Sequence, residues 1–171
     1  MNKKAIAIIL GILIFIFGGF YFIGKSEGRS SVPDSKLAKL NPDEVLVSPE
    51  SYDIGKVLMK DGLVVREYEI KNNSKDPLRV KKIVTSCMCT RAQIIVGDKK
   101  TRGYGMEMQG DNNPSINFDI PGETTAKLLV KFDPAFHGPQ GAGKISRSVF
   151  LTFADPVGKR EVKFFGEVTL Q

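Results

Sequence analysis

The chain has 171 residues, 42% hydrophobic and 26% charged, with 17 Gly and 9 Pro; this suits one domain with an appendage and excludes a wholly disordered or collagen-like chain. One His and two Cys exclude multi-histidine metal centres, four-cysteine zinc sites and a disulfide-dense scaffold. The net charge of +6 is scattered in mixed-sign pairs such as Lys56 with Asp61 and Lys75 with Asp76, which predicts a solvated surface and no nucleic-acid partner.

After a short tail over residues 1–4, Ala5 to Ile23 read AIAIILGILIFIFGGFYFI without a charge. At about 1.5 Å per helical residue this run crosses a hydrocarbon core of roughly 30 Å. It is longer than the apolar stretch of a cleaved signal peptide, and it leaves through Gly18-Gly19-Phe20-Tyr21 without a small-residue cleavage site. The expectation is an uncleaved signal anchor lying in the lipid bilayer. Lys3 and Lys4 before the run are outnumbered by Lys25, Arg29, Lys36 and Lys39 after it, so basic residues do not favour an inside N-terminus. The Met-Asn-Lys-Lys start nevertheless resembles a secretory leader, and the expectation is a single-pass protein of the cell membrane with its C-terminal part outside the cytoplasm. Residues 24–44, polar with Gly, Ser and Pro, form a linker by composition.

From residue 45 onward the apolar pattern has a period of two and is broken at short intervals by turn residues, the signature of an all-β sandwich or barrel. Ala126, Leu128, Val130 and Phe132 alternate with Lys127, Leu129 and Lys131. Val149, Leu151 and Phe153 alternate with Phe150 and Thr152, and Val162, Phe164, Gly166 and Val168 with Lys163, Phe165 and Glu167. Upstream, Val45 to Val47, Ser51 to Val57, Leu63 to Lys71 and Leu78 to Thr85 read as strands. The turn Asn72-Asn73-Ser74-Lys75-Asp76-Pro77 is expected to join the last two as a hairpin. Pro121-Gly122 marks a turn before the Ala126 strand. About seven strands over 45–171 predict an immunoglobulin-like antiparallel β-sandwich.

Taken together, Asp53-Ile-Gly-Lys-Val57, Ile70-Lys-Asn72, Pro77-Leu78, Ser86-Cys-Met-Cys-Thr90, Pro121-Gly-Glu123, Val130-Lys-Phe-Asp-Pro134 and Phe165-Gly-Glu-Val168 resemble the domain of unknown function 1573 family over about residues 45–170. The resemblance implies a bacterial, exported, immunoglobulin-like domain related to the Hydin type, and it implies no reaction. Two features depart from the family pattern. Met88 stands where the family signature has Gly, and the stretch from Arg91 to Ile120 is long, with Gly103 to Gly110 reading as a flexible loop or extra hairpin.

Cys87-Met88-Cys89 is the densest chemical feature. Residues two apart on a strand face the same way, so both sulfurs can project together. Three readings stand side by side. The cysteines can be inert packing groups. They can bind a soft metal such as Cu(I), aided by Met88, Met106, Met108 or His137. Or they can form a redox pair, in which a direct bridge across a single residue would be strained. His137, in a Gly/Pro-rich connection, reads first as a solvated or turn-bonding side chain. Gly138-Pro-Gln-Gly-Ala-Gly-Lys144 mimics a phosphate loop but lacks the following Ser or Thr and precedes a strand pattern, so no nucleotide is expected. Asn72-Asn73-Ser74 fits a glycosylation sequon only formally.

No catalytic residue can be named, since Ser146 and Ser148 sit on a strand pattern with no nucleophile elbow. The sequence predicts a non-enzymatic interaction or scaffolding module of the bacterial cell envelope that contacts an unidentified envelope protein. A Cu(I)-binding or copper-delivery role through Cys87-Met88-Cys89 is the alternative, and a thiol-redox partner a further one.

Overall fold

The computed structural model describes residues 40–41, 43–108 and 113–170. The expected signal anchor over 5–23 and nearly all of the linker lie outside these residues. Among the described residues no helix is long and apolar enough to cross a membrane.

Ten strands are present among the described residues: β1 (Val45–Ser48), β2 (Ser51–Leu58), β3 (Val64–Asn72), β4 (Leu78–Thr85), β5 (Thr90–Val96), β6 (Lys99–Lys100), β7 (Phe118–Ile120), β8 (Thr124–Phe132), β9 (Gly143–Asp155) and β10 (Val157–Thr169). They form two five-stranded sheets, ordered β1-β3-β8-β5-β6 and β2-β10-β9-β4-β7. All pairings are antiparallel except that of β2 with β10.

The period-two segments behave as their pattern dictates. Ala126, Leu128, Val130 and Phe132 are buried, as are Val149, Leu151, Phe153, Val162, Phe164 and Val168, while Phe150 and Phe165 face solvent. Residues from both sheets join in one apolar core. Across it the Phe132 and Phe164 rings lie 5.3 Å apart, and the Tyr68 hydroxyl on β3 donates to the Lys163 carbonyl on β10 at 2.7 Å. Burial pushes the Tyr68 phenol well above its ordinary pKa, because the charged form would lose its hydration.

Two interruptions of the period keep apolar residues inward. In β4 the buried positions run Leu78, Val80, then Ile83 and Thr85, and the register against β9 shifts between Val80 and Lys82. In β2 the step is from Ile54 to Val57, with Gly55 at φ +67° and a register shift of the facing β10 between Phe165 and Glu167. Each bulge inserts one residue and so restores the inward phase.

The structure corrects the sequence expectation in three places. The strands number ten among the described residues where about seven were expected. The Asn72 to Pro77 turn does not close a hairpin: β3 pairs with β1 and β8, and β4 with β9 and β7, so the turn carries the chain from one sheet to the other. Asn72 makes that crossing. Fully buried, its amide donates to the carbonyls of Asp76, Ile120 and Pro121 at 2.9 to 3.1 Å and its Oδ1 accepts from Ser74. An amide so enclosed is closed to glycosylation. Beside it, a Cβ on Gly122 would run into the Lys75 carbonyl. Third, the long stretch from Arg91 to Ile120, in which no strand was expected outside Gly103 to Gly110, contains most of β5 and all of β6 and β7. Its Tyr104 pairs with Ala92, and the Gly105 carbonyl accepts from Thr85 N–H and the Asn113 amide.

Replacing Asn72 by Ala removes the amide that ties the Asp76, Ile120 and Pro121 carbonyls together and should cost about 3 kcal/mol in urea unfolding, against about 1 kcal/mol for Tyr68→Phe. A raised phenol pKa adds stability that is complete below the unfolded value of about 10 and declines as pH rises above it. Wild type should therefore lose stability above about pH 10, and Tyr68→Phe should lose less over the same range.

Candidate functional site: a buried Cys-Met-Cys turn under His137

Two connections that cross between the sheets meet at one end of the sandwich. Residues Ser86 to Cys89 link β4 in one sheet to β5 in the other, and residues 133–142 link β8 back to β9. The first is a tight turn fixed from within. Thr85, buried, directs its hydroxyl at the carbonyls of Cys87 (2.9 Å) and Thr90 (3.2 Å). Thr90 N–H donates to the Cys87 carbonyl at 3.1 Å and Cys89 N–H to the Cys87 sulfur at 3.2 Å. Ser86 is bound to Ser148 of β9 by its N–H and its hydroxyl.

The second connection is tied to the first, because Asp133 N–H donates to the Cys89 carbonyl at 2.8 Å. The Asp133 carboxylate accepts from Ala135 N–H at 2.9 Å, and Gly138 N–H donates to the Ala135 carbonyl. Such Asp-led turns reverse the chain in a few residues. They bring His137 Nε2 to 3.3 Å from the Cys87 sulfur. Phe136 stacks edge-on to the imidazole, ring centres 5.1 Å apart. Gly141, in a short 3₁₀ turn over Gly138–Gly141, leaves room for the ring's root: a Cβ there would stand 3.0 Å from His137 Cβ.

Cys87 and Cys89, the chain's only cysteines, are joined as a disulfide with Cα atoms 5.2 Å apart, within the range a bridge accepts. Both are buried, while His137 is exposed. Ligand atoms of Cys87, Cys89 and His137 all lie within 4.8 Å of one another. The candidate thioethers are all exposed, unlike the sulfurs of the cysteines: Met88 lies within the turn, and Met106 and Met108 on the segment pinned to β4 and β5.

Gly138 to Lys144 does not build a phosphate loop, because the turn runs into strand β9 and not into a helix. A surface groove of about 430 Å³ beside the β2 bulge, lined by Asp53, Lys56, Lys144, Phe165 and Glu167 among others, shares no residue with the cysteine cluster. It is open and mixed in charge, and the chemistry sits at the cysteines.

Thr85, Asp133 and Phe136 have supporting roles that the sequence did not disclose. A buried Thr at the end of a strand looks like any β-branched core residue, and only the turn it faces shows its work.

The fold and this turn define a two-sheet β-sandwich domain with a buried cysteine pair at one end. Residues 45–103 match a family described as "Protein of unknown function (DUF1573)". Among solved structures the chain is similar to a protein of unknown function from Porphyromonas gingivalis W83, at 19% identity over 72% of this chain and 46% of that one, with a TM-score of 0.51. The chain thus spans just under half of that protein's length. More distant are the E. coli chaperone DraB (8% identity, 74% and 55% covered, TM-score 0.45) and the CooA pilin subunit of enterotoxigenic Escherichia coli (14% identity, 75% and 97% covered, TM-score 0.42). No curated protein matches the chain.

With both sulfurs bridged and buried, the native, unreduced protein should take up no thiol-alkylating reagent. It should take up two equivalents after reduction in denaturant, read by intact-mass spectrometry. Labelling without reductant would contradict the bridge.

Proposed function

We propose that this chain is a non-enzymatic, membrane-anchored module of the bacterial cell envelope that binds another envelope protein through the loop end built around Cys87 and His137. One observation carries this reading. The Cys87–His137 contact, between residues 50 apart in sequence, gathers two inter-sheet loops and leaves Met88 and Phe136 exposed on them. Methionine and aromatic side chains are enriched at protein interfaces, and loops held by a rigid sandwich are a common place for recognition.

Other features support the remaining parts of the reading. The orders β1-β3-β8-β5 and β4-β9-β10 correspond to the two sheets of a constant-type immunoglobulin domain, which supports an immunoglobulin-like assignment. A disulfide is at home in an oxidising compartment, which supports placing the domain outside the cytoplasm. Ala5 to Ile23 supplies the bilayer anchor. The single imidazole faces a sulfur held in a disulfide, which gives it no free nucleophile to activate.

A photo-crosslinking residue at position 88 or 136 of the full-length chain, expressed in a bacterium, should give one discrete adduct. That adduct should weaken at least tenfold when the other apolar side chain is changed to Ser, and should be missing when the probe stands at Phe150 on the outer face of β9. Equal adducts at all three positions, or none, would overturn the interface. The anchor is tested on the same samples: the chain should stay with membranes through alkaline extraction and be released by deleting residues 5–23.

The convergence of two sulfurs and an imidazole nitrogen favours a second reading, in which the reduced pair binds a soft metal ion such as Cu(I).

A further inference from the structure

The same three residues sit in two chemical frames at once. Their donor atoms are gathered nearly closely enough for one small ion: all lie within 4.8 Å of one another, and metal–thiolate bonds of about 2.3 Å need two donors on one ion to come within about 4.6 Å, so a side-chain shift of about half an ångström closes the set. Yet the two sulfurs are bonded to each other, and a sulfur in a disulfide offers no thiolate. We propose that Cys87, Cys89 and His137 form a redox-gated site for a single Cu(I) ion, closed while the sulfurs are joined and open once they are reduced. This rests on the soft-metal reading above and adds the redox gate and the single-ion stoichiometry.

The balance is simple. A dithiol reductant of the compartment gives two electrons and two protons to the Cys87–Cys89 bond, breaking it to two thiols and becoming a disulfide itself. Binding one Cu(I) then releases the two thiol protons and forms two Cu–S bonds, with His137 Nε2 as a neutral third donor. Two thiolates and an imidazole are a soft set that suits Cu(I). Structural zinc takes four protein ligands, and the cluster among the described residues supplies three of the His, Cys or carboxylate type.

The surroundings suit a gate that opens without refolding. Thr85 holds the turn through the carbonyls of Cys87 and Thr90, and Asp133 N–H holds the Cys89 carbonyl. None of these three bonds involves a sulfur, so they persist when the bridge breaks; of the bonds that fix the turn, the one from Cys89 N–H to the Cys87 sulfur has to adjust as the sulfurs part. Burial of both sulfurs shields them from solvent, while the neighbouring His137 and Met88 side chains are exposed.

The test uses the full-length chain in detergent, without oxygen, in two forms: disulfide-intact, and reduced and freed of reductant. Each is titrated with Cu(I) against a chromogenic Cu(I) chelator. The reduced chain should take one Cu(I), the intact chain none, and X-ray absorption should show two sulfur neighbours and one nitrogen. His137→Ala should weaken binding by about tenfold or more, and the Cys87→Ser, Cys89→Ser double variant should abolish it. The two wild-type forms are the same polypeptide, so the central comparison does not depend on a variant folding. Equal Cu(I) uptake by both forms would overturn the gate while leaving soft-metal binding in place. No uptake by either, or tighter binding of Zn²⁺ than of Cu(I), would overturn the soft-metal reading itself. Loss of folded circular dichroism on reduction, or His137→Ala binding as tightly as wild type, would overturn the site as drawn.

Discussion

Apolar side chains from β3, β5 and β8 meet those of β4, β9 and β10 in one buried layer, and the rest of the molecule is arranged so that this layer stays closed. A sheet with one apolar face must cover it, and two such sheets packed face to face satisfy each other. The bulges in β2 and β4 serve that contact. Without the extra residue at each, every later side chain of the strand would turn to the wrong face. Tyr68 extends the contact with a polar link, its ring in the core and its hydroxyl on the opposite sheet.

The cysteine turn is a consequence of this packing. Strand β4 enters it from one sheet and β5 leaves it in the other, so the turn spans the thickness of the core in four residues. The exit of β8 lies beside it because Thr90 pairs with Phe132 across β5 and β8, and the next residue, Asp133, is then in reach of the Cys89 carbonyl. His137 arrives over Cys87 as the last step of that chain of contacts. The position of the one ionisable imidazole is thus set by sheet packing and two short turns, with no long-range charge involved. Charges do little elsewhere: the Arg79–Asp119 pair that clips β7 to β4 holds the Asp119 carboxyl below its usual pKa, but it is solvent-exposed, where such pairs contribute little.

The long strands were legible because their inner faces alternate without interruption. Ala126 to Phe132 and Ser148 to Phe153 carry an apolar residue at every inward position, and burial follows it, with Leu129 and Phe150 the apolar residues on their outer faces. Strand β5 was not legible: Thr90-Arg-Ala-Gln-Ile-Ile-Val96 mixes small, polar and adjacent apolar residues, and its inward face is set by its pairing with β8. The Asn72 to Pro77 turn carries the residues of a hairpin, yet turn chemistry specifies a reversal and not the sheet in which the next strand lands. That choice falls to the pairing partners of β3 and β4, of which β8 and β9 lie more than 50 residues away.

Cys87, Met88 and Cys89 stood out on composition alone, and His137 could be named because it has no rival. The sequence by itself determined an all-β fold class, the inward faces of its regular strands and the identity of the sulfur groups, since period-two patterning and residue chemistry are local properties. The tertiary structure alone decided that the two sulfurs are buried and joined, that His137 lies against one of them and Met106 and Met108 present exposed side chains, and which sheet each strand enters. These depend on contacts between segments far apart in the chain, and such contacts are fixed only when the two apolar faces close on each other.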